Sequence, residues 1–374
     1  MDIKNNNFFN VVFDGALIDD FKKLVLLGTK RVRYIPFLIR SIKYQRNAVV
    51  RRKKNEESGI QVPLVLAISI TNKCNLNCVG CYQKSQKITN NSEFTDEEII
   101  RIIRESRDLG SGIVFLLGGE PLMRDIFGLV SEFKDMIFAL YTNSLLINDE
   151  VIGKFKKNLH ILPILSMEGI ETDNRRGKGV LEKIMKVVDK LNKEKILFGL
   201  SVTVTSKNIN DVCSDEFVVK MIKKGNMFFS YYRYIPIDKN TIELTLSPEQ
   251  DLMFKEFTKS FRFKYNAIFV SPENEKRYGG CLGAGKGVVH ISASGELEAC
   301  PFAPYSDVSV KNMSLKEALQ SKLFQNLRRH HKTMIDNNLA ICSLWKNEQW
   351  ENAAKTNDFT FLEEEYATHS ILEE

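Results

Sequence analysis

The chain has 374 residues, 43% of them hydrophobic, which is enough for a large core and fits two domains plus an extension. Lysine and arginine number 53 against 47 aspartates and glutamates, a balance too mild to single out nucleic acid or another polyanion as partner. Seven cysteines make an odd count. With neither a basic-then-apolar leader nor an apolar run long enough for a bilayer, the expectation is a protein of the reducing cytoplasm and not a disulfide scaffold.

Residues 1–62 read as a basic helical extension. From Arg31 to Lys54 the cations Arg31, Arg33, Arg40, Lys43, Arg46, Arg51, Arg52, Lys53 and Lys54 occur without an intervening acid. Ile35, Phe37, Leu38, Ile39, Ile42 and Tyr44 are interleaved with them, the pattern of a basic amphipathic helix. Such a helix either packs along the outside of the next domain or meets an anionic membrane surface, a nucleic acid or an acidic peptide. Peripheral membrane contact therefore stays open; no nucleic-acid module is visible, and no nucleic-acid partner is expected. Asn55 to Gly59 reads as a linker.

From residue 63 to 240 short β-rich runs alternate with helix-length amphipathic segments, the pattern of βα repeats on a parallel sheet. Six strands are expected, at Leu64–Ile70, Ile113–Leu117, Ile137–Tyr141, Ile161–Ser166, Leu197–Val204 and Met227–Ile235. Helices are expected near Thr95–Leu109, Ile126–Lys134, Asn148–Lys157, Val180–Asn192 and Ser214–Lys224. Thr95 with Glu98 three residues on is a capping-box start. Six βα units make an α/β fold, a partial (β/α)6 TIM-like barrel, whose reactive groups sit at the C-terminal ends of the strands.

After the first strand come Cys74, Cys78 and Cys81, spaced Cys-x3-Cys-x2-Cys on one loop. A [4Fe-4S] cluster is ordinarily held by four cysteines; three leave one iron open to another ligand. Structural zinc is the competing reading of closely spaced cysteines, but a closed zinc site needs four donors, and no fourth cysteine or histidine lies near this loop. The spacing resembles that of the radical S-adenosylmethionine (radical SAM) superfamily, in which the methionine amino and carboxylate groups chelate the open iron.

The resemblance assigns roles along the barrel. Gly118-Gly119-Glu120-Pro121, ending the second strand, is similar to the family's Gly-Gly-Glu motif: the glycines make room for ligand near the backbone and Glu120 addresses the methionine ammonium. Thr142-Asn143-Ser144 is similar to a Thr-Asn-Gly after the third strand. Ser166-Met167-Glu168-Gly169 is similar to a Ser-x-Asp-Gly that contacts ribose, and Arg176, in Arg175-Arg176-Gly177, is a candidate clamp for the methionine carboxylate. Two positions depart from the pattern: Gly80 precedes the third cysteine where many members have an aromatic, and Glu168 replaces aspartate. Tyr82 is the candidate ring for adenine.

Residues 241–374 hold Cys281, Cys300 and Cys342. Val288–Ser292 and Glu296–Cys300, joined through Ser294-Gly295, read as a hairpin, and a helix follows at Ser314–Leu323. This is similar to the auxiliary-cluster region called twitch or SPASM, here a small α+β domain with at most one auxiliary [4Fe-4S] cluster on Cys281, Cys300 and Cys342. Its fourth ligand is open among substrate, water, His290 and Asp307. Cys213 reads as a core residue. Gly280 to Lys286 nearly matches a nucleotide-binding P-loop but lacks the following serine or threonine and the flanking strand and helix.

Together these features imply a radical SAM oxidoreductase or maturase. By the resemblance, the reduced cluster splits S-adenosylmethionine to a 5′-deoxyadenosyl radical that takes hydrogen from a substrate. Peptide maturation is the expected role; a small molecule or cofactor precursor bound at the auxiliary cluster is the alternative, and a non-catalytic iron-sulfur carrier or sensor is a second. A reductant such as flavodoxin or ferredoxin is the implied partner.

Overall fold

The computed structural model describes residues 29–85, 92–236, 239–271, 283, 285–329 and 348–358. Helix α1 (Ile35–Glu57) precedes strand β1 (Val65–Ser69). The expected linker is mostly helix, since α1 runs to Glu57 and only Ser58 and Gly59 turn the chain. The barrel continues as α2 (Asp96–Leu109), β2 (Ile113–Leu117), α3 (Ile126–Leu129), β3 (Ile137–Thr142), α4 (Asp149–Lys157) and β4 (Ile161–Ser166). Next come α5 (Thr172–Arg176), α6 (Val180–Lys193), β5 (Gly199–Val204), α7 (Ile209–Val212), α8 (Asp215–Lys223) and β6 (Phe228–Arg233). The third helix is shorter than expected, because it ends at Leu129 and the chain turns through Val130 to Asp135.

The sheet extends beyond six strands. Helix α9 (Pro248–Lys264) leads to β7 (Ile268–Val270), parallel to β6. On the other edge β8 (Val288–Ile291) runs parallel to β1, and β9 (Leu297–Glu298) pairs antiparallel with β8, so the expected hairpin is present and joined to the barrel. The strand order is β7-β6-β5-β4-β3-β2-β1-β8-β9. Short helices α10 (Leu315–Ala318) and α11 (Lys322–Arg329) replace the single helix expected after the hairpin, and α12 (Glu348–Thr356) is the last element described.

Alternation along the strands separates two faces. Leu66 and Ile68, Val114 and Leu116, Phe138 and Leu140, and Leu200 and Val202 are buried against the helices. Ile99, Ile102 and Ile103 of α2 and Ile184, Val188 and Leu191 of α6 supply the other side at helical spacing. Each such fully buried aliphatic contributes about 1.5–3 kcal/mol. The capping box on Thr95 and Glu98 forms as expected. The sheet is curled: Tyr141 on β3 and Tyr232 on β6 place their hydroxyls 3.0 Å apart although two strands lie between them in the sheet, so both rings point into the concave face.

Helix α1 closes the floor of this trough. Tyr34 and Leu38 pack on Leu162, Leu197, Met227 and Ile268, at or just before the N-terminal ends of four strands. Gln45 donates to the Gly112 carbonyl (3.0 Å), Asn55 to that of Leu109 (2.9 Å), and buried Arg52 to that of Gly110. The cysteine loop lies at the opposite end.

Candidate functional site

The cysteine loop is held along both limbs. On the ascending limb, Gly119 N–H donates to the Thr71 carbonyl and Glu120 N–H to that of Lys73, both at 2.8 Å. A Cβ on Gly119 would come within 2.6 Å of the Lys73 carbonyl carbon, and one on Gly118, at φ 127°, would press on the Thr71 carbonyl oxygen. The room these glycines leave is taken by the loop's own backbone, where the sequence reading assigned it to ligand. Glu93 completes the clamp, accepting from Asn72 N (2.8 Å) and the Thr71 hydroxyl (2.9 Å). On the descending limb, Val79 N–H donates to the Arg175 carbonyl (2.8 Å), and the Arg175 guanidinium returns a bond to the Val79 carbonyl (3.2 Å).

Cys74 is exposed, Cys78 buried and Cys81 between them. Although the Cys74 residue is exposed, the protein packed on one side of its sulfur partly desolvates it and pushes the thiol up, and the charges of Glu120 and Cys81 add to this, opposed by the Leu76 N–H and the Asn143 amide. Burial also pushes Cys78 up, opposed by Arg176. Cys74 and Cys78 both feel the charge of Cys81, and N–H donors already point at the first two: Leu76 N (3.5 Å) and Asn143 Nδ2 (3.8 Å) at Cys74, Arg176 Nη1 (4.0 Å) at Cys78. That donor set fits a cluster on three thiolates, whose potential such hydrogen bonds tune and whose iron supplies the positive charge that ionises buried thiols. Among the described residues no three His, Cys, Asp or Glu side chains gather as a site for a single metal ion.

Glu120 is fully buried above the end of β2. Its Oε1 accepts from the Thr142 hydroxyl (2.8 Å) and Leu122 N (3.1 Å), its Oε2 from Asn143 N (2.7 Å). Burial pushes this carboxyl up, and those three donors and Arg176 oppose the shift. Pro121 opens the short 3-10 turn that follows. Asn143 also reaches Asn75 of the loop (2.7 Å). Ser144 adopts a left-handed φ of 74° where the resembling motif has glycine.

Ser166 is half-buried at the end of β4. Glu168 is buried completely in an ion pair, taking Arg176 Nε at 2.5 Å and Nη2 at 2.6 Å, and Arg175 Nη1 at 3.2 Å. Burial raises the Glu168 carboxyl, but Arg176 and Arg175 outweigh it and hold it below its ordinary value. Through these arginines Glu168 is tied to Val79 and Cys78 of the loop.

Several site-lining groups had no local signature. Tyr234, just after β6, sets its ring against Gly80, which adopts φ 64° and has no space for a Cβ, while Arg175 lies 5.6 Å over that ring. An aromatic ring thus meets the loop beside the third cysteine, supplied from another strand. Tyr82 lies edge-on to Phe302 at 5.5 Å, and burial pushes its hydroxyl well up. Within the trough Phe115 packs on Tyr141 (5.2 Å), and Ser230 and Tyr232 join hydroxyls at 2.8 Å. Beside them, His290 of β8 is buried between the Ser69 hydroxyl at Nε2 (2.8 Å) and Glu298 at Nδ1 (2.7 Å). Both imidazole nitrogens are thus engaged by side chains of β1 and β9. Asp307 Oδ2 accepts from Leu323 N at 2.9 Å. Cys300 is half-buried at the end of the hairpin; Cys281 and Cys342 lie outside the described residues.

Residues 68–215 match the model of the Radical SAM superfamily. The chain is 25% identical over 299 residues to an AdoMet-dependent heme synthase of Methanosarcina barkeri, covering 71% of this chain and 85% of that protein. It is 28% identical over 297 residues to a GTP 3′,8-cyclase of Clostridium botulinum, covering 70% and 88%. Streptococcus suis SuiB bound to S-adenosylmethionine shares the fold with a TM-score of 0.59 at 18% identity, over 80% of this chain and 74% of that one.

Proposed function

The chain belongs to the radical SAM superfamily through residues 68–215, and on that premise we propose that it is an enzyme that modifies a peptide by hydrogen abstraction in the concave trough. Its cofactors are a [4Fe-4S] cluster and S-adenosylmethionine. When bound, the cluster supplies the electron that releases methionine and a 5′-deoxyadenosyl radical. The observation that carries the reading is the three-cysteine loop pinned against the Gly118–Glu120 turn with N–H donors aimed at its sulfurs.

Each residue has a task. Cys74, Cys78 and Cys81 hold the cluster. Glu120 keeps Oε2, which accepts a single described hydrogen bond, for the methionine ammonium, while Thr142 and Asn143 fix its orientation. The Glu168–Arg176 pair stays closed and positions Cys78, so that Arg176 braces the loop instead of clamping the methionine carboxylate. Tyr82 and Ser166 border the S-adenosylmethionine site. A second cluster sits on Cys281, Cys300 and Cys342, and a flavodoxin- or ferredoxin-type protein supplies electrons in the cytoplasm.

The make-up of the trough supports a peptide. Its upper wall is the uncharged surface of Phe115, Tyr141, Ser230 and Tyr232, suited to a side chain entering from an extended segment, and the fold is shared with SuiB, which has been solved with its precursor peptide SuiA. Arg175 and Arg176 are engaged by Glu168, and Arg233 pairs with Asp251 at 2.8 Å, so these cations near the mouth are already neutralised. A second reading, a small anionic cofactor precursor, is favoured by the heme synthase and GTP cyclase among the relatives. The test is anaerobic reconstitution, reduction with dithionite and measurement of 5′-deoxyadenosine, followed by mass spectrometry of any short peptide encoded beside the gene. A reconstituted protein that releases no 5′-deoxyadenosine refutes the enzyme; release without a mass change on peptide, but with one on a porphyrin or nucleotide, selects the second reading.

A further inference from the structure

The basic run at the N-terminus has no task in the chemistry above, and α1 shows how it is presented. Its inner face, Leu38, Ser41, Gln45, Ala48 and Arg52, is buried on the barrel floor. The three hydrogen bonds from Gln45, Arg52 and Asn55 to backbone carbonyls at the α2–β2 turn fix its rotation about its own axis. The opposite face therefore always points outward. Along it Arg40, Lys43, Arg46, Lys53 and Lys54 are exposed, and none of them has an ion pair among the described residues. Between them stand Ile39 at 59% exposure, Ile42 at 38% and Val50 at 66%.

We propose that this outer face of α1 docks the protein on an anionic lipid surface. The helix presents a convex ridge about 34 Å long, a shape that lies along a plane. Cations that stay at headgroup level while neighbouring aliphatics dip below it are the composition of an interfacial helix. No acid interrupts the run from 31 to 54; Glu57 is exposed only at the end of the helix and Glu56 interacts with Lys53, so the uncancelled attraction comes chiefly from Arg40, Lys43 and Arg46. Because α1 covers the floor and the cysteine loop lies at the far end of the strands, the docked protein keeps its mouth open to the aqueous side.

The test is flotation of the full chain with vesicles of phosphatidylcholine alone and with about 30 mol% phosphatidylglycerol. Binding is expected only to the anionic vesicles and is lost by about 0.5 M salt, where the Debye length is a few ångströms. Reversing Lys43, Arg46 and Lys54 to Glu, a change of six charges, should lower partition by at least about a hundredfold, and Ile39→Ser with Val50→Ser should lower it further, with unchanged circular dichroism and reductive cleavage of S-adenosylmethionine. Should the charge variant misfold, Lys43→Gln with Arg46→Gln carries the same test with a smaller loss. Equal binding to neutral vesicles, no binding to anionic ones, or charge variants that float like the native protein would overturn the proposal. So would binding to a soluble acidic polypeptide, polyglutamate, without binding to vesicles, which would assign the face to an acidic protein.

Discussion

Replacing Glu168 by alanine tests the part of the site where the resemblance and the geometry diverge. Glu168 is fully buried, and the side chains of Arg175 and Arg176 are 9% and 13% exposed, so the three charge-assisted bonds they share are poorly screened. At about 1.5–3 kcal/mol each their gross worth is about 4.5–9 kcal/mol, but water entering the vacated space returns part of it. Removing one partner of a buried pair typically costs about 3–5 kcal/mol, since the remaining charge is left uncompensated. We expect that loss for Glu168→Ala in urea unfolding of the reduced, metal-free protein, followed by far-ultraviolet circular dichroism. The sign with pH follows from the depressed folded value: the contribution is complete above the unfolded-chain value of 4.5 and disappears as pH falls through the lower folded value. The gap between native protein and variant should thus be constant from about pH 8 to pH 6 and close below about pH 4.5. A loss under about 1 kcal/mol, or a gap that widens in acid, would refute the account of this pair as a buried brace.

Glu120→Ala should weaken S-adenosylmethionine binding more than cluster assembly, by the roughly 1.5–3 kcal/mol of a charge-assisted bond; equilibrium dialysis against iron content separates the two, and an unchanged binding curve contradicts the role. Gly119→Ala places a methyl group on the Lys73 carbonyl, costing about 1–3 kcal/mol of overpacking, and should more than halve iron uptake at the loop while helix content persists. With both clusters built, the native protein should hold about eight irons and the Cys281, Cys300 and Cys342 triple alanine variant about four, with reductive cleavage retained and substrate turnover lost; four irons in the native chain would remove the second cluster. His290→Ala leaves Glu298 and Ser69 facing each other across a vacated buried site and should cost about 2–5 kcal/mol, read by thermal unfolding; a change below about 0.5 kcal/mol would show that the hairpin is held otherwise.

Local chemistry made much of this protein legible in its sequence. Thr95 and Glu98 announce the start of α2, alternating apolar residues mark the strands, and the spacing of Cys74, Cys78 and Cys81 marks a loop that can present three thiols to one cluster. These signals operate over a few residues, where backbone geometry alone decides which side chains meet. The remainder rests on encounters between distant segments. The pairing of β8 with β1 spans more than two hundred residues and brings His290 to Ser69. The curl of the sheet sets Tyr141 against Tyr232, the rotation of α1 sends one face to the floor and the other outward, and the bend after β6 lays Tyr234 on Gly80. Glu168 could be read as a ribose contact from its motif, and only the folded chain showed it captured by two arginines. No periodicity encodes such contacts, because what selects them is the burial of polar groups that must find partners wherever packing of the whole chain brings them together.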